Sequence, residues 1–182
     1  MSMKMKLAQT AKRYSDQKWY SWWAGGILLL DFFVPILPGA SLVMASSLMQ
    51  PKKWIVFAVT TTLGATAGSF VASFLIQLFG DQLLEVLFPG ITASSGWSQA
   101  TSLVREFGGF ALFVMACVPV PIRTLTVVAA ISGIGWPVIL IATLLGRLIC
   151  FGTLSYLASR APQYMLRLKW VQRSPFMIEI LK

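Results

Sequence analysis

The alternation of oily and polar stretches divides this chain before any single residue is considered. Residues 24–49 are apolar except for Asp31, and Pro35, Pro38 and Gly39 interrupt them before Pro51-Lys52-Lys53-Trp54 ends the run. Residues 54–79 continue without a proline or a charge. Residues 80–106 are the most polar internal segment, with Asp81, Glu85, Arg105 and Glu106, and with Pro89-Gly90 and Ser94-Ser95-Gly96 as turn signals. A third apolar run, 107–136, holds Val118-Pro119-Val120-Pro121-Ile122-Arg123 at its middle, and a fourth, 137–159, carries Gly146-Arg147. A helix needs about 20 apolar residues to cross a bilayer. The pattern therefore predicts an all-α integral membrane protein in which 54–79 and 137–159 cross as plain helices.

The two remaining apolar runs are too broken for that reading. Proline removes a backbone donor and cannot sit inside an unbroken helix, and its predecessor is pushed out of the helical region as well. Irregular backbone at membrane depth is tolerated only where protein or a watery cavity surrounds it. Residues 21–50 and 107–136 are accordingly expected to be re-entrant hairpins, each returning to the side it entered.

Charge supports the same choice. If all four runs crossed, Lys52 and Lys53 would fall outside and the acidic 80–106 segment inside, which inverts the positive-inside rule. With two hairpins, the inside collects five basic residues from the N-terminus, two from 52–53 and five from the C-terminus, twelve of the fifteen. Arg105 and three acids then face outward in an external loop, 80–106. Both termini are expected to be cytoplasmic.

Each half then has one plan, a hairpin followed by a span, entered from opposite faces. A shift of 83 positions places Pro38 on Pro121 and Ser41 on Thr124, and a shift of 82 places Gly64 on Gly146. This suggests an inverted-topology repeat, an arrangement whose broken segments meet near the midplane and form a substrate site. The whole chain, 1–182, is one membrane domain with amphipathic ends. Residues 1–20 set Met3, Leu7, Ala11 and Tyr14 at helical spacing among lysines, and the segment 160–182 is again basic.

Composition removes several function classes. Only 12% of residues are charged and 57% are hydrophobic, so the net charge of +9 belongs to membrane topology and not to a nucleic-acid surface. The absence of histidine, with Cys117 and Cys150 isolated inside apolar runs, excludes the usual metal sites and leaves no nucleophile–base pair. No metal, no cofactor and no enzymatic activity is expected.

Candidate chemistry falls on the second broken run. Arginine at membrane depth opposes insertion by about 2.5–3.5 kcal/mol, so such a residue usually marks a function or a structural ion pair. Arg123 offers a planar fork for phosphate oxygens. The residues after Pro121 start a helix whose first amides favour an anion, with Thr124 and Thr126 as nearby hydroxyls. By pseudo-symmetry, Pro38-Gly39-Ala40-Ser41 offers a matching helix start from the first hairpin. Asp31 either pairs with Arg123 or Arg147 or takes up a proton on desolvation. Arg147, on a spanning helix, reads as structural more than ligand-binding.

With these residues in view, the chain resembles the DedA family, also described as the VTT or SNARE-associated membrane domain. The matching features are Asp31 followed by Pro35 and Pro38-Gly39, then Gly108-Gly109 leading into Pro119, Pro121 and Arg123, with Gly146-Arg147 on the next helix. Two positions depart from it. Ala40 stands where many members carry a second acid, and Cys117 where many carry a further arginine. Both departures remove a charge and weaken any implication of proton coupling. The resemblance implies a lipid carrier of a bacterial inner membrane, a flippase for undecaprenyl phosphate, or a phospholipid scramblase. Its expected partners are membrane lipids with an anionic phosphate headgroup, bound by Arg123, Asp31, Thr124, Ser41, Pro121, Gly39 and Arg147. A proton- or ion-coupled small-solute transporter and a non-transporting membrane scaffold are the competing readings.

Overall fold

A computed structural model describes residues 19–33, 39–79, 96–120 and 122–161. The amphipathic helix expected at the N-terminus, the prolines at 35, 38 and 121, the acids Asp81 and Glu85, and the basic tail beyond 161 lie outside the described residues. Seven α-helices follow one another: α1 Tyr20–Phe33, α2 Gly39–Met49, α3 Trp54–Phe79, α4 Gly96–Phe107, α5 Gly109–Ala116, α6 Arg123–Ile131 and α7 Trp136–Arg160. A 3₁₀ turn, Pro51–Lys53, leads into α3. The described residues contain no strand.

Helices α3 and α7 are long and apolar enough to cross a bilayer. At 1.5 Å per residue, 26 and 25 residues make rods of about 38 Å, whereas the helices of 8 to 14 residues reach only about 12–21 Å. The long pair runs antiparallel. The Trp54 ring meets Tyr156 at 5.3 Å at one end, and Phe70 meets Trp136 at 5.5 Å toward the other. Lys52, Lys53 and Arg160 mark the first of these as the basic end. The outward faces of both rods are oily, with Ile55, Val59, Leu63 and Phe74 on α3 and Val138, Ile141, Leu145 and Ile149 on α7 all exposed.

Short helices form two antiparallel pairs, one toward each end of the rods. Tyr20, at the start of α1, contacts Ser46 near the end of α2 and the ring of Phe57, so both outer ends lie at the basic end. Gly25 and Gly64 bring α1 and α3 into backbone contact, and Gly68 lies under Leu29 and Phe32 farther along. The second pair has its outer ends at the other end of the rods. Gly109, opening α5, lies against Val138 at the other end of α7, and Gln77 Nε2 donates to the Ile134 carbonyl just after α6. Inside the bundle, Gly146 sits against Phe113 and Ala116 of α5. Two hydrophobic clusters follow this division, one built from α1, α2 and the basic end of the rods, the other from α4, α5, α6 and the opposite end.

Local sequence explains the joints. The end of α6 is a Schellman motif: the Ile134 N–H donates to Ala129, the Gly133 N–H to Ala130, and Gly133 takes φ +79°, which glycine adopts without Cβ strain. Gly135 and Pro137 then start α7, proline being favoured in a first turn where its missing N–H has no helical role. The polar segment expected to be a loop contains a helix instead, α4. Its apolar stripe, Trp97, Ala100, Leu103 and Val104, packs into the second cluster, and the charges of Arg105 and Glu106 had hidden that period.

Candidate functional site

The two hairpins meet at Arg123. This residue opens α6, and its Nη2 donates to the Asp31 main-chain carbonyl at 2.5 Å. Asp31 lies in the last turn of α1, where a helix leaves its final four carbonyls without intrahelical donors. A guanidinium at that negative helix end is electrostatically favoured by about 0.3–1 kcal/mol when exposed and about 2 when partly buried. One side chain therefore joins the tip of one hairpin to the tip of the other.

At the start of α6, the first backbone bond runs from the Thr126 N–H to the Ile122 carbonyl at 2.9 Å, and Ile122 makes no side-chain cap. The amides ahead of Thr126 thus belong to a helix end of positive partial charge. Thr124 is half-buried beside Arg123. Thr126 does not serve as the hydroxyl donor expected of it, because its Oγ1 donates back to the Ile122 carbonyl at 3.0 Å. Such i−4 bonding is the default for a threonine inside a helix.

Arg147 is tied into the scaffold. Its Nη2 donates to the Val120 carbonyl at 3.1 Å, and its guanidinium stands 5.2 Å from the centre of the Phe151 ring. These contacts hold the turn of the second hairpin against the middle of α7. Pro121 lies outside the described residues. Gly39 opens α2 close to Leu28 and Phe151, where a Cβ would come within 3.0 Å of a Leu28 methyl.

Ser41, in the first turn of α2, is completely buried, and its Oγ makes no hydrogen bond. Thr62 and Thr66 on α3, 1% and 5% exposed, share that condition and were not singled out by the sequence. Their neighbours behave otherwise: Thr60, Thr61 and Ser69 on the same helix all donate to carbonyls three or four residues back. A buried hydroxyl without a partner is unfavourable by about 1–3 kcal/mol, so three together require a reason. The sequence signal for them is the number of hydroxyls on segments otherwise made for oil.

Comparison with known proteins adds little. No family model matches the chain, and no solved structure does. The chain is similar to an uncharacterized protein of Haemophilus influenzae, 22% identical over 147 residues that cover 80% of this chain and 76% of that protein.

Proposed function

We propose that this chain is an integral membrane carrier that moves a phosphate-headed lipid between leaflets. In this reading α3 and α7 cross the bilayer and the paired short helices are re-entrant, with the basic end cytoplasmic. The inverted repeat gains support from the packing, since in each half the glycine of the span (Gly64, then Gly146) faces the first limb of the preceding hairpin. The resemblance to the DedA family carries the same expectation, including a bacterial inner membrane and undecaprenyl phosphate or a phospholipid as cargo.

The observation that carries the proposal is the position of Arg123, at the junction of two hairpins that reach the interior from opposite ends. A lipid phosphate crossing a low-dielectric layer needs a cation within it, and a fork of donors suits its oxygens better than a point charge. The Asp31 carbonyl that Arg123 holds is one a phosphate would compete with, so binding of the headgroup would loosen the contact between hairpins. That couples occupancy to movement of one hairpin against the other, the general logic of repeat-built carriers. Arg147 holds the second hairpin in place and is assigned a positioning role.

Reconstitution tests this reading. Vesicles containing the protein and labelled undecaprenyl phosphate or phosphatidic acid should show accelerated transbilayer movement. Arg123→Gln should abolish most of it while the protein remains folded, and Asp31→Asn should retain binding but alter the rate. Movement untouched by Arg123→Gln would refute the proposal. A proton flux independent of lipid, lost in the same variant, would favour the small-solute carrier, and no flux of any kind would favour the scaffold.

A further inference from the structure

The buried hydroxyls not used by the Arg123 site lie mostly along two helices, α2 and α3. Ser41, Ser46 and Ser47 of α2 are all completely buried. At the basic end Ser46 and Ser47 latch α2 to two helices, α1 and α7, and a further bond ties α7 to α3. Ser46 Oγ and Tyr20 Oη of α1 are 3.1 Å apart, the Ser47 hydroxyl contacts that of Ser155 on α7, and Ser155 Oγ donates to the Trp54 carbonyl of α3 at 2.8 Å. Hydroxyl pairs of this kind exchange readily for bonds to water, unlike interlocked apolar side chains.

Farther in, the three hydroxyls without partners lie at one level. The Gly25–Gly64 contact fixes α1 against α3, and Thr62 and Thr66 stand two residues either side of Gly64, about 3 Å along the axis. Gly39 touches Leu28, one turn from Gly25, and α2 then runs back toward the basic end, which brings Ser41 to the same level. At about 100° per residue, Thr62 and Thr66 both point away from Gly64 and α1, toward the side where α2, α6 and α7 pack. Counting between the Trp54–Tyr156 and Phe70–Trp136 contacts puts Gly146-Arg147 close to this level as well.

We infer that α2 is a gate that opens to water from the basic end, and that this structure shows it closed. When the Tyr20–Ser46 and Ser47–Ser155 latches exchange for water, α2 parts from α3 and α7. Ser41, Thr62 and Thr66 are then hydrated, which removes the penalty they bear when sealed and favours the open state. The seam so exposed leads from the basic face to the level of Arg147. This rests on the proposed membrane placement and deepens it, by naming the route by which a polar headgroup reaches the interior. The gate itself is independent of which lipid, if any, uses it.

Cysteine accessibility tests the gate without any lipid assay. In a background with Cys117→Ala and Cys150→Ala, single cysteines at Ser41→Cys and Thr62→Cys are exposed to a small, charged, membrane-impermeant methanethiosulfonate, added to one side of sealed vesicles at a time. Both should label from the basic face and at least tenfold more slowly from the other. Adding Ser47→Cys and Ser155→Cys and oxidising that pair with a copper–phenanthroline catalyst and oxygen should close the seam before labelling. The rate at Thr62→Cys should then fall at least tenfold and recover when the disulfide is reduced. The inference is overturned if neither position labels in folded protein yet both label after denaturation in dodecyl sulfate. It is overturned equally if labelling is the same from both faces, or if the cross-link leaves it unchanged. Should the cysteine-free background fail to fold, hydrogen exchange in the unaltered protein reads the same motion. Amides of 42–49 should exchange at least tenfold faster than those of 60–70, and equal rates would refute the gate. Labelling that behaves as expected in a protein that moves no lipid would keep the gate and remove the carrier proposal.

Discussion

Gly64 provides the sharpest quantitative test of the packing. A Cβ at this position would lie 1.9 Å from the Gly25 carbonyl oxygen, 2.6 Å from its carbon and 2.9 Å from its Cα. All three atoms are backbone, so no side-chain rotation relieves the clash. Restoring ordinary contact means moving α1 and α3 apart by about 1.5 Å, and even a 0.5–1 Å gap forfeits a quarter to a half of each dispersion contact along the seam. Overpacking of this kind is unfavourable by about 1–3 kcal/mol, and the rigidity of both partners puts Gly64→Ala at the upper end. Alanine returns about 0.8–1 kcal/mol of helix propensity, leaving a net loss of about 2. Gly152 on α7 provides the control, since a Cβ there meets nothing within 4 Å. Gly152→Ala should therefore gain up to about 1 kcal/mol, and the two variants should differ by about 3. Unfolding in mixed micelles by dodecyl sulfate, followed by tryptophan fluorescence, measures this difference directly. Equal stabilities for Gly64→Ala and Gly152→Ala would refute the close crossing of α1 and α3.

Other variants probe the remaining joints. Gly146→Ala, whose Cβ would stand 2.5 Å from Ala116 Cβ and 2.7 Å from the Phe113 carbonyl oxygen, should destabilise by about 1–3 kcal/mol in the same titration, as its counterpart does. Arg147→Gln loses a charge-assisted bond to Val120 and its place near the Phe151 ring, and should lower unfolding stability by about 2–3 kcal/mol; a variant that stays fully stable but loses transport would make Arg147 a ligand residue instead. Thr126→Val removes only a bond to the helix's own Ile122 carbonyl and should leave transbilayer movement within about twofold of the unaltered protein. Gly133→Ala meets no atoms but forces φ +79° on an L-residue, so a loss of about 1–2 kcal/mol is expected, without change in transport.

What could be read from the sequence followed from period and length. The two rods were evident because 26 and 25 largely apolar residues have few other solutions, and the break in the third apolar run because Pro119 sits where a helix cannot pass. Arg123 stood out as the guanidinium of a broken apolar run, and the structure does place it between the hairpins. One acceptor it holds there is the Asp31 main-chain carbonyl, and no side-chain pattern announces a carbonyl. Thr126 misled for a related reason: its hydroxyl is near the site in sequence, but the helix itself supplies a closer acceptor. The α4 helix was obscured because a window rich in Ser, Arg and Glu scores as loop even when Ala100 and Val104 form a buried stripe. Ser41, Thr62 and Thr66 show the deepest limit. That they are buried follows from the pattern, but that their hydroxyls lack partners depends on rotamers and on three other helices.

The proposed membrane placement depends most directly on where the hairpins enter. Single cysteines replacing Trp19, Lys52 and Ser132 in the background lacking Cys117 and Cys150 would be labelled from each side of sealed vesicles. With two re-entrant hairpins, Trp19→Cys and Lys52→Cys react from one face and Ser132→Cys from the other. Reaction of Trp19→Cys and Lys52→Cys from opposite faces would contradict this placement, because residues 20–49 would then cross the bilayer and no first hairpin would meet Arg123.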